Sequence, residues 1–205
     1  MEKTNFDALM QKEIENIVKI DRVPKLMLHA CCAPCSSSVL KRLSDIFDIT
    51  VLFYNPNITE SDEYHRRYAE IKRFIEEVPH KNKIDIFESE YDPNTYLDAV
   101  KGHESDLEGG ERCFICFELR LRKTAKIASK LKYDYFTTTL SISPLKNSSK
   151  LNEIGNNLSE EFGIKYLFSD FKKRDGYKES IELSKQYNLY RQDYCGCIFS
   201  RNKEV

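Results

Sequence analysis

The sequence predicts an α/β fold with a mostly parallel sheet of five strands flanked by helices. Short apolar runs alternate along the chain with segments whose apolar residues recur at helical spacing. This alternation is typical of βαβ units, in which neighbouring strands run parallel. The strands are predicted at residues 25–30, 49–54, 83–87, 133–140 and 165–168.

Three helices follow from apolar residues that recur three and four positions apart. The first covers residues 63–78, the second begins at Phe117, and the third covers residues 148–162 with Gly163 as its C-terminal stop. The segment KGHESDLEGGE, residues 101–111, predicts a loop.

The chain divides into an N-terminal segment and one larger unit. Residues 1–24 predict an added amphipathic helix or extension, and residues 25–205 predict a single α/β catalytic domain. A length of 205 residues suffices for one domain with a real core.

Composition excludes several classes of protein. With 40% hydrophobic and 32% charged residues the chain is globular, and a net charge of -1 does not indicate a globally basic nucleic-acid binder. The charged N-terminus lacks the apolar core of a signal peptide, and no apolar run approaches a membrane span. We expect a cytoplasmic protein with reduced thiols and no membrane partner.

Every predicted strand ends in polar residues. Cys31 follows the first strand, Asn55–Asn57 the second and Asp92 the third, while residues 141–147 follow the fourth and Asp170 the fifth. Ligands of open parallel sheets bind beyond the carboxyl ends of the strands. We therefore expect one site at this edge of the sheet.

Seven cysteines lie in three groups, and an odd number excludes a fully paired disulfide framework within one chain. The groups are Cys31, Cys32 and Cys35; Cys113 and Cys116; and Cys195 and Cys197. The C-x2-C pairs, Cys32 with Cys35 and Cys113 with Cys116, suit either four-coordinate zinc or an iron–sulfur cluster. The wide separation of the pairs, the adjacent doublet and the third group argue against structural zinc.

The remaining pair, Cys195 and Cys197, is a C-x-C motif around a flexible glycine. This short spacing predicts a strained, easily reduced disulfide, and the alternative is two further metal ligands. The opening stretch also permits a thioredoxin-type site, with a strand, CAPC and a helix. That interpretation leaves four clustered cysteines without a role.

Five motifs in order carry a family resemblance. LHACCAPCS, FYNPNI…EYHRR, RCFICFELRL, TTTLSISPLKN and RQDYCGCIFS together resemble the QueH type of epoxyqueuosine reductase, which is cobalamin-independent. The resemblance runs from about residue 25 to 200. It implies a HUP or PP-loop-like α/β fold and a two-electron reduction of epoxyqueuosine in tRNA to queuosine, the last step of queuosine synthesis. It also implies a [4Fe-4S] cluster, an additional iron ion and an unidentified electron donor.

The resemblance assigns roles to all seven cysteines. It implies that Cys31, Cys32, Cys113 and Cys116 bind the [4Fe-4S] cluster and that Cys195 and Cys197 form a redox-active pair. Cys35 is left for the second iron, together with Cys195 or Cys197, or for the substrate pocket. Spacing alone pairs Cys32 with Cys35, so the two lines of reasoning differ here.

Proton donors and RNA contacts follow from nearby polar residues. Tyr194 and Asp193 are the candidate donors beside the redox pair, whereas His65 and Tyr68 are better explained as helix surface and helix core. His29 lies within the first strand and is predicted to be a satisfied core histidine.

The helix after Cys116 is basic and predicts contacts to tRNA phosphates through Arg120, Lys123 and Lys130. Residues 172–174, KKR, form a second basic cluster.

Two other functions stay open at this point. One is a zinc-stabilised nucleic-acid-binding module without redox activity, and the other is a PP-loop-type adenylating enzyme, which would need a glycine-rich loop that CCAPCSSS lacks.

Overall fold

A computed structural model describes residues 4–201 of the protein. Its five strands form one parallel sheet in the order β3-β2-β1-β4-β5, which confirms the α/β prediction. The strands are β1 Lys25–His29, β2 Asp48–Phe53, β3 Ile84–Glu88, β4 Tyr135–Thr138 and β5 Lys165–Tyr166.

Helices cover both faces of the sheet. They are α1 Phe6–Ile17, α2 Ala33–Leu43, α3 Ser61–Glu77, α4 Pro93–Ala99, α5 Glu111–Lys130, α6 Ser148–Phe162 and α7 Gly176–Gln186. Helix α1 falls within the predicted N-terminal segment, whose first three residues lie outside the described part, as do residues 202–205. Within residues 4–201, no helix is long and apolar enough to cross a membrane.

Most predicted boundaries differ from the observed ones by one or two residues, and β5 ends at Tyr166 instead of residue 168. Two of the differences affect the site. Strand β4 ends at Thr138, not Leu140, because the Thr138 hydroxyl accepts a bond from the Leu140 amide at 3.1 Å and caps a short 3-10 helix at Thr139–Ile142. Helix α5 begins at Glu111, upstream of Phe117. Its cysteines therefore lie inside the first turns of a helix, where they share the helical period.

The core has two layers because each central strand is buried on both faces. Leu26 and Leu28 of β1 pack with residues of α1, α2 and α3, whereas Met27 packs with residues of α5 and α6. The sheet order reverses between β1 and β4, which are neighbours in space but not in sequence. The crevice beyond such a reversal is where open α/β sheets bind ligands.

Candidate active site

The turn between β1 and α2 brings three thiols together. The Sγ atoms of Cys31, Cys32 and Cys35 lie within 4.8 Å of one another, and those of Cys31 and Cys32 are 3.7 Å apart. Cys32 is the N-cap of α2, and its sulfur accepts the Cys35 amide at 3.4 Å. This group could hold a metal ion, and its geometry agrees with the spacing-based pairing of Cys32 with Cys35.

The three thiols differ in pKa. Hydrogen bonds from Cys32 and Cys35 hold the pKa of Cys31 well below its usual range, although burial acts in the opposite direction. Burial, together with the Cys31 hydrogen bond, raises the pKa of Cys32 to about 12. Hydrogen bonds with Cys31 and Cys32, together with burial, raise the pKa of Cys35. The neighbouring thiols thus favour the thiolate form of Cys31, and a metal bound by all three sulfurs would displace the protons of Cys32 and Cys35.

The other four cysteines line a separate inner cavity. Cys113 and Cys116 lie one turn apart on α5, and Cys195 and Cys197 face them from the C-terminal segment. The Gly109 amide donates to the Cys113 sulfur at 3.2 Å. Burial raises the pKa of Cys116 to about 12. No disulfide joins any of the seven cysteines, all of which lie within residues 4–201, so the structure does not test whether Cys195 and Cys197 form a redox-active pair.

An outer cavity of about 350 Å³ opens beside the inner one, with Cys35 in its wall. This volume is at the lower end of the range for small-molecule sites, roughly 300–1,000 Å³. The two cavities share Glu108, Leu145, Lys146 and Cys195. A ligand in the outer cavity would therefore meet the Cys195 thiol and the ammonium group of Lys146.

Three arginines are the largest fully buried side chains of the described residues, and two of them hold the segments that frame the site. Arg67 donates to the backbone carbonyls of Tyr194 and Cys195, each at 3.3 Å. Arg112 donates to three carbonyls of the 103–106 turn at 2.6–3.2 Å. The sequence analysis assigned no role to either arginine, because a buried arginine and a surface arginine look alike in a sequence.

Arg120 is the third buried arginine, and its predicted place on the RNA-facing surface is wrong. Its side chain is only 1% exposed, and its Nε donates to the Cys116 carbonyl at 3.1 Å. Since Arg120 follows Cys116 by one helical turn, both face inward. Lys123 and Lys130 are exposed on α5, as predicted, and so is Lys126.

Two basic side chains lie near the cysteines, the buried Arg120 and the partly buried Lys146. Burial alone would lower the pKa of Arg120, but the neighbouring Cys116, Cys195 and Cys31 outweigh it and raise that pKa. The pKa of Lys146 is raised in the same way, against the effect of burial, by Cys195, Cys31 and Cys35. Both side chains are therefore cationic beside the thiols.

The predicted proton donors separate into two groups. Tyr194 and Asp193 line the outer cavity. His65 is exposed on α3, where its Nδ1 lies 2.8 Å from the Ser61 carbonyl, and Tyr68 packs against the Phe53 ring at 5.5 Å. Neither residue lines the two cavities, in agreement with their interpretation as helix surface and helix core.

His29 is a satisfied core histidine, as predicted. Its two ring nitrogens lie 2.9 Å from the Thr138 hydroxyl and 3.1 Å from the Tyr54 carbonyl. Complete burial lowers its pKa to about 3, so the ring is neutral at physiological pH.

Three further side chains contact the cysteines. The Tyr96 hydroxyl lies 2.9 Å from the Cys197 sulfur, and Gln192 donates to the Cys32 sulfur at 2.9 Å. Asn57 donates to the Cys195 carbonyl at 3.3 Å, as its place after β2 suggested. Gln192 belongs to the RQDYCGC motif, but Tyr96 carried no signal in the sequence.

The expectation that every strand end joins one site holds only in part. Asp92 caps α4 by accepting the Thr95 amide at 3.3 Å, and Asp170 pairs with Lys172. In the second basic cluster, Arg174 bonds Asp7 at 2.9 Å. These groups therefore stabilise helix ends and chain packing.

Comparison with known proteins decides the family. The sequence model described as "Epoxyqueuosine reductase QueH" matches residues 26–203 of the chain. The chain belongs to the epoxyqueuosine reductase QueH family. The relatives include proteins of that name from Streptococcus pyogenes serotype M1, 44% identical over 201 residues, and from Staphylococcus epidermidis, 40% identical over 207 residues. These matches cover 97% and 99% of this chain and 79% and 87% of the relatives.

A third relative shows that the likeness extends to a distant source. The epoxyqueuosine reductase QueH of Thermotoga maritima is 35% identical over 178 residues, which cover 85% of this chain and 89% of the relative. The resemblance inferred from the motifs is therefore confirmed, and with it the class of the enzyme, an oxidoreductase.

Proposed function

We propose that this enzyme reduces epoxyqueuosine in tRNA to queuosine with an iron–sulfur cluster. In this proposal Cys31, Cys32, Cys113 and Cys116 bind a [4Fe-4S] cluster, and Cys195 and Cys197 form the redox pair. Cys35 serves a further iron ion at the wall of the outer cavity. The observation that supports the proposal best is that five of the seven free thiols line two adjoining cavities, together with the basic side chains of Arg120 and Lys146. The other two thiols, Cys31 and Cys32, lie within 4.8 Å of Cys35 in the wall of the outer cavity.

The donor set fits iron–sulfur chemistry. Thiolates are the ligands that such clusters use. The four proposed ligands form no disulfide: Cys31, Cys32, Cys113 and Cys116. The arginine and lysine side chains beside them, Arg120 and Lys146, offset the negative charge that a thiolate-bound cluster carries. The close grouping of Cys31, Cys32 and Cys35 also suits one metal ion.

The reaction needs two electrons and two protons for each epoxide oxygen lost as water. A bound [4Fe-4S] cluster would supply electrons one at a time. Oxidation of the Cys195 and Cys197 thiols to a disulfide releases two electrons and two protons, which balances the conversion of the epoxide to an alkene and water. Cys195 lies in the wall that both cavities share, so this pair can serve a substrate in the outer cavity.

Other groups of the outer cavity orient the substrate and hold protons. Tyr194 and Asp193 line this cavity, and their side chains carry a hydroxyl and a carboxyl group. We retain both as the proposed proton donors. Gln192 fixes the nearby Cys32 sulfur, and its own Oε1 is buried without a partner among the described residues.

Metal and sulfide analysis of protein purified without oxygen tests the cofactor. We expect a brown protein with about four iron and four sulfide per chain, and a further iron where the second site is filled. A protein reconstituted with iron and sulfide that holds one zinc and no labile sulfide would contradict the proposal and favour the zinc-stabilised module.

Exposed lysines on α5 provide the proposed tRNA surface. The helix begins at the inner cavity and carries Lys123, Lys126 and Lys130 on its exposed side. Because backbone phosphates supply much of RNA affinity, replacing the three lysines by glutamate should raise the tRNA concentration needed for half-maximal rate at least tenfold. The iron–sulfur absorbance should not change.

A second triple variant serves as the charge-matched control. Lys12, Lys19 and Lys72 are exposed on or beside α1 and α3, and they form no ion pair among residues 4–201. Their replacement by glutamate changes the net charge equally and should affect tRNA use much less. Equal effects of the two triple variants would show that α5 is not the RNA surface.

A further inference from the structure

Neither the buried Arg120 nor the partly buried Lys146 forms an ion pair with a carboxylate among the described residues. Arg120 makes one hydrogen bond, to the Cys116 carbonyl, and its second terminal nitrogen is buried with no partner. Neither Arg120 nor Lys146 forms an ion pair in residues 4–201, although Glu108 lines the same inner cavity. An unpaired buried charge is costly, so such an arrangement indicates that an anion belongs there.

The other two buried arginines show what a structural role looks like in this protein. Arg67 binds two carbonyls and the Glu63 carboxylate, and Arg112 binds three carbonyls of one turn. Arg112 leaves its Nε without a partner, but its Nη1 binds three carbonyls, whereas Arg120 makes a single hydrogen bond and leaves its terminal Nη2 buried without a partner. The Arg120 guanidinium thus binds one backbone carbonyl through Nε and also borders the cavity lined by four cysteines.

Lys146 supports the same conclusion from a different element. It lies in the segment after the 3-10 helix, and it lines both the inner and the outer cavity. Helix α5 and this segment thus place one cation each against the cysteines. Two different parts of the chain therefore each indicate that a negatively charged group binds beside the cysteines.

We propose that Arg120 and Lys146 are positioning residues that act as fixed counter-charges for the cysteine-bound cluster and raise its reduction potential. This inference rests on the proposed iron–sulfur function. A thiolate-bound cluster is anionic and gains one more negative charge on reduction. Fixed cations in a buried site stabilise the reduced form more than the oxidised form.

The experiment compares reduced-to-oxidised cluster ratios, at one fixed potential, by electron paramagnetic resonance of reconstituted protein. Arg120→Met should lower the ratio about tenfold, equivalent to a potential about 59 mV more negative for one electron. Lys146→Met should also lower the ratio. Arg120→Lys keeps the positive charge, so its ratio should stay close to that of the parent protein.

The matched control is Arg122→Met, the same substitution two positions along α5. Arg122 points outward and pairs with Glu118 and Glu161, so its loss should leave the ratio unchanged. If Arg120→Met fails to fold or to take up iron, Lys146→Met decides, because Lys146 lies outside the helices.

The outcomes separate the two hypotheses. A parent protein that takes up no iron and sulfide contradicts the proposed function and, with it, this inference. A parent protein with an intact cluster whose ratio does not change in Lys146→Met or Arg120→Met overturns the counter-charge role alone. An equal fall in Arg122→Met would also overturn it, since the effect would then not be specific to the buried cations.

Discussion

Protein carrying Cys113→Ser or Cys116→Ser is expected to lose iron–sulfur absorbance and turnover together, whereas Cys197→Ser should keep most of the absorbance and lose turnover. Serine oxygen is a poor ligand for a centre that prefers soft sulfur donors. Changes to groups that only support a metal ligand commonly cost 10–100-fold, so loss of a ligand should lower turnover at least about 100-fold.

Cys197 shares one buried cluster with Cys116 but differs from both α5 cysteines in its contact with the Tyr96 hydroxyl. Its sulfur is buried with Val100 and Tyr96, whose hydroxyl lies 2.9 Å away. A serine at this position can keep that hydrogen bond, so the fold and the cluster should survive while the dithiol is lost.

Absorbance near the cluster band and single-turnover assays on tRNA measure the two properties separately. The urea unfolding midpoint of each variant provides the control for folding. If Cys197→Ser abolishes the absorbance as completely as Cys113→Ser, Cys197 is a cluster ligand and the division of roles is wrong.

The strands could be predicted because parallel strands buried on both faces are continuous apolar runs. Helices α3 and α6 have enough turns to show their periodicity, and Gly163 marks the end of α6 with a left-handed conformation, φ +62°. Helix α4 has only seven residues, too few for a periodic pattern, and α7 buries few apolar side chains. Both were therefore missed.

The thiols of the site could be predicted because cysteines rarely cluster without a chemical reason. The basic side chain that lies beside them, Arg120, could not be predicted. The sequence analysis places Arg120 with the surface lysines of α5 because composition gives the charge of a side chain but not the direction in which it points. It also begins the helix at Phe117 and not at Glu111. With the helix begun at Glu111, the spacing of Cys116 and Arg120 places them on one face.

The Arg67→Met variant has the other large expected effect, since Arg67 anchors the C-terminal segment that contains Cys195 and Cys197. Its guanidinium lies 2.6 Å from the Glu63 carboxylate and donates to the carbonyls of Tyr194 and Cys195. Arg67→Met removes the anchor and leaves Glu63, which is only 10% exposed, without its cation. Breaking such a buried pair should lower the free energy of unfolding by about 3–5 kcal/mol.

The double variant Arg67→Met with Glu63→Gln separates anchoring from stability. Removing both charges should restore most of the free energy of unfolding, measured in urea, because no unpaired buried carboxylate remains. Turnover should stay low, about 100-fold below the parent, because the Tyr194 carbonyl loses its donor, the Cys195 carbonyl keeps only Asn57, and small displacements at a reacting centre are costly. Glu63→Gln alone keeps the Arg67 donors on those carbonyls, so it should turn over close to the parent. A double variant with parental turnover would show that Arg67 stabilises the fold without positioning Cys195 and Cys197.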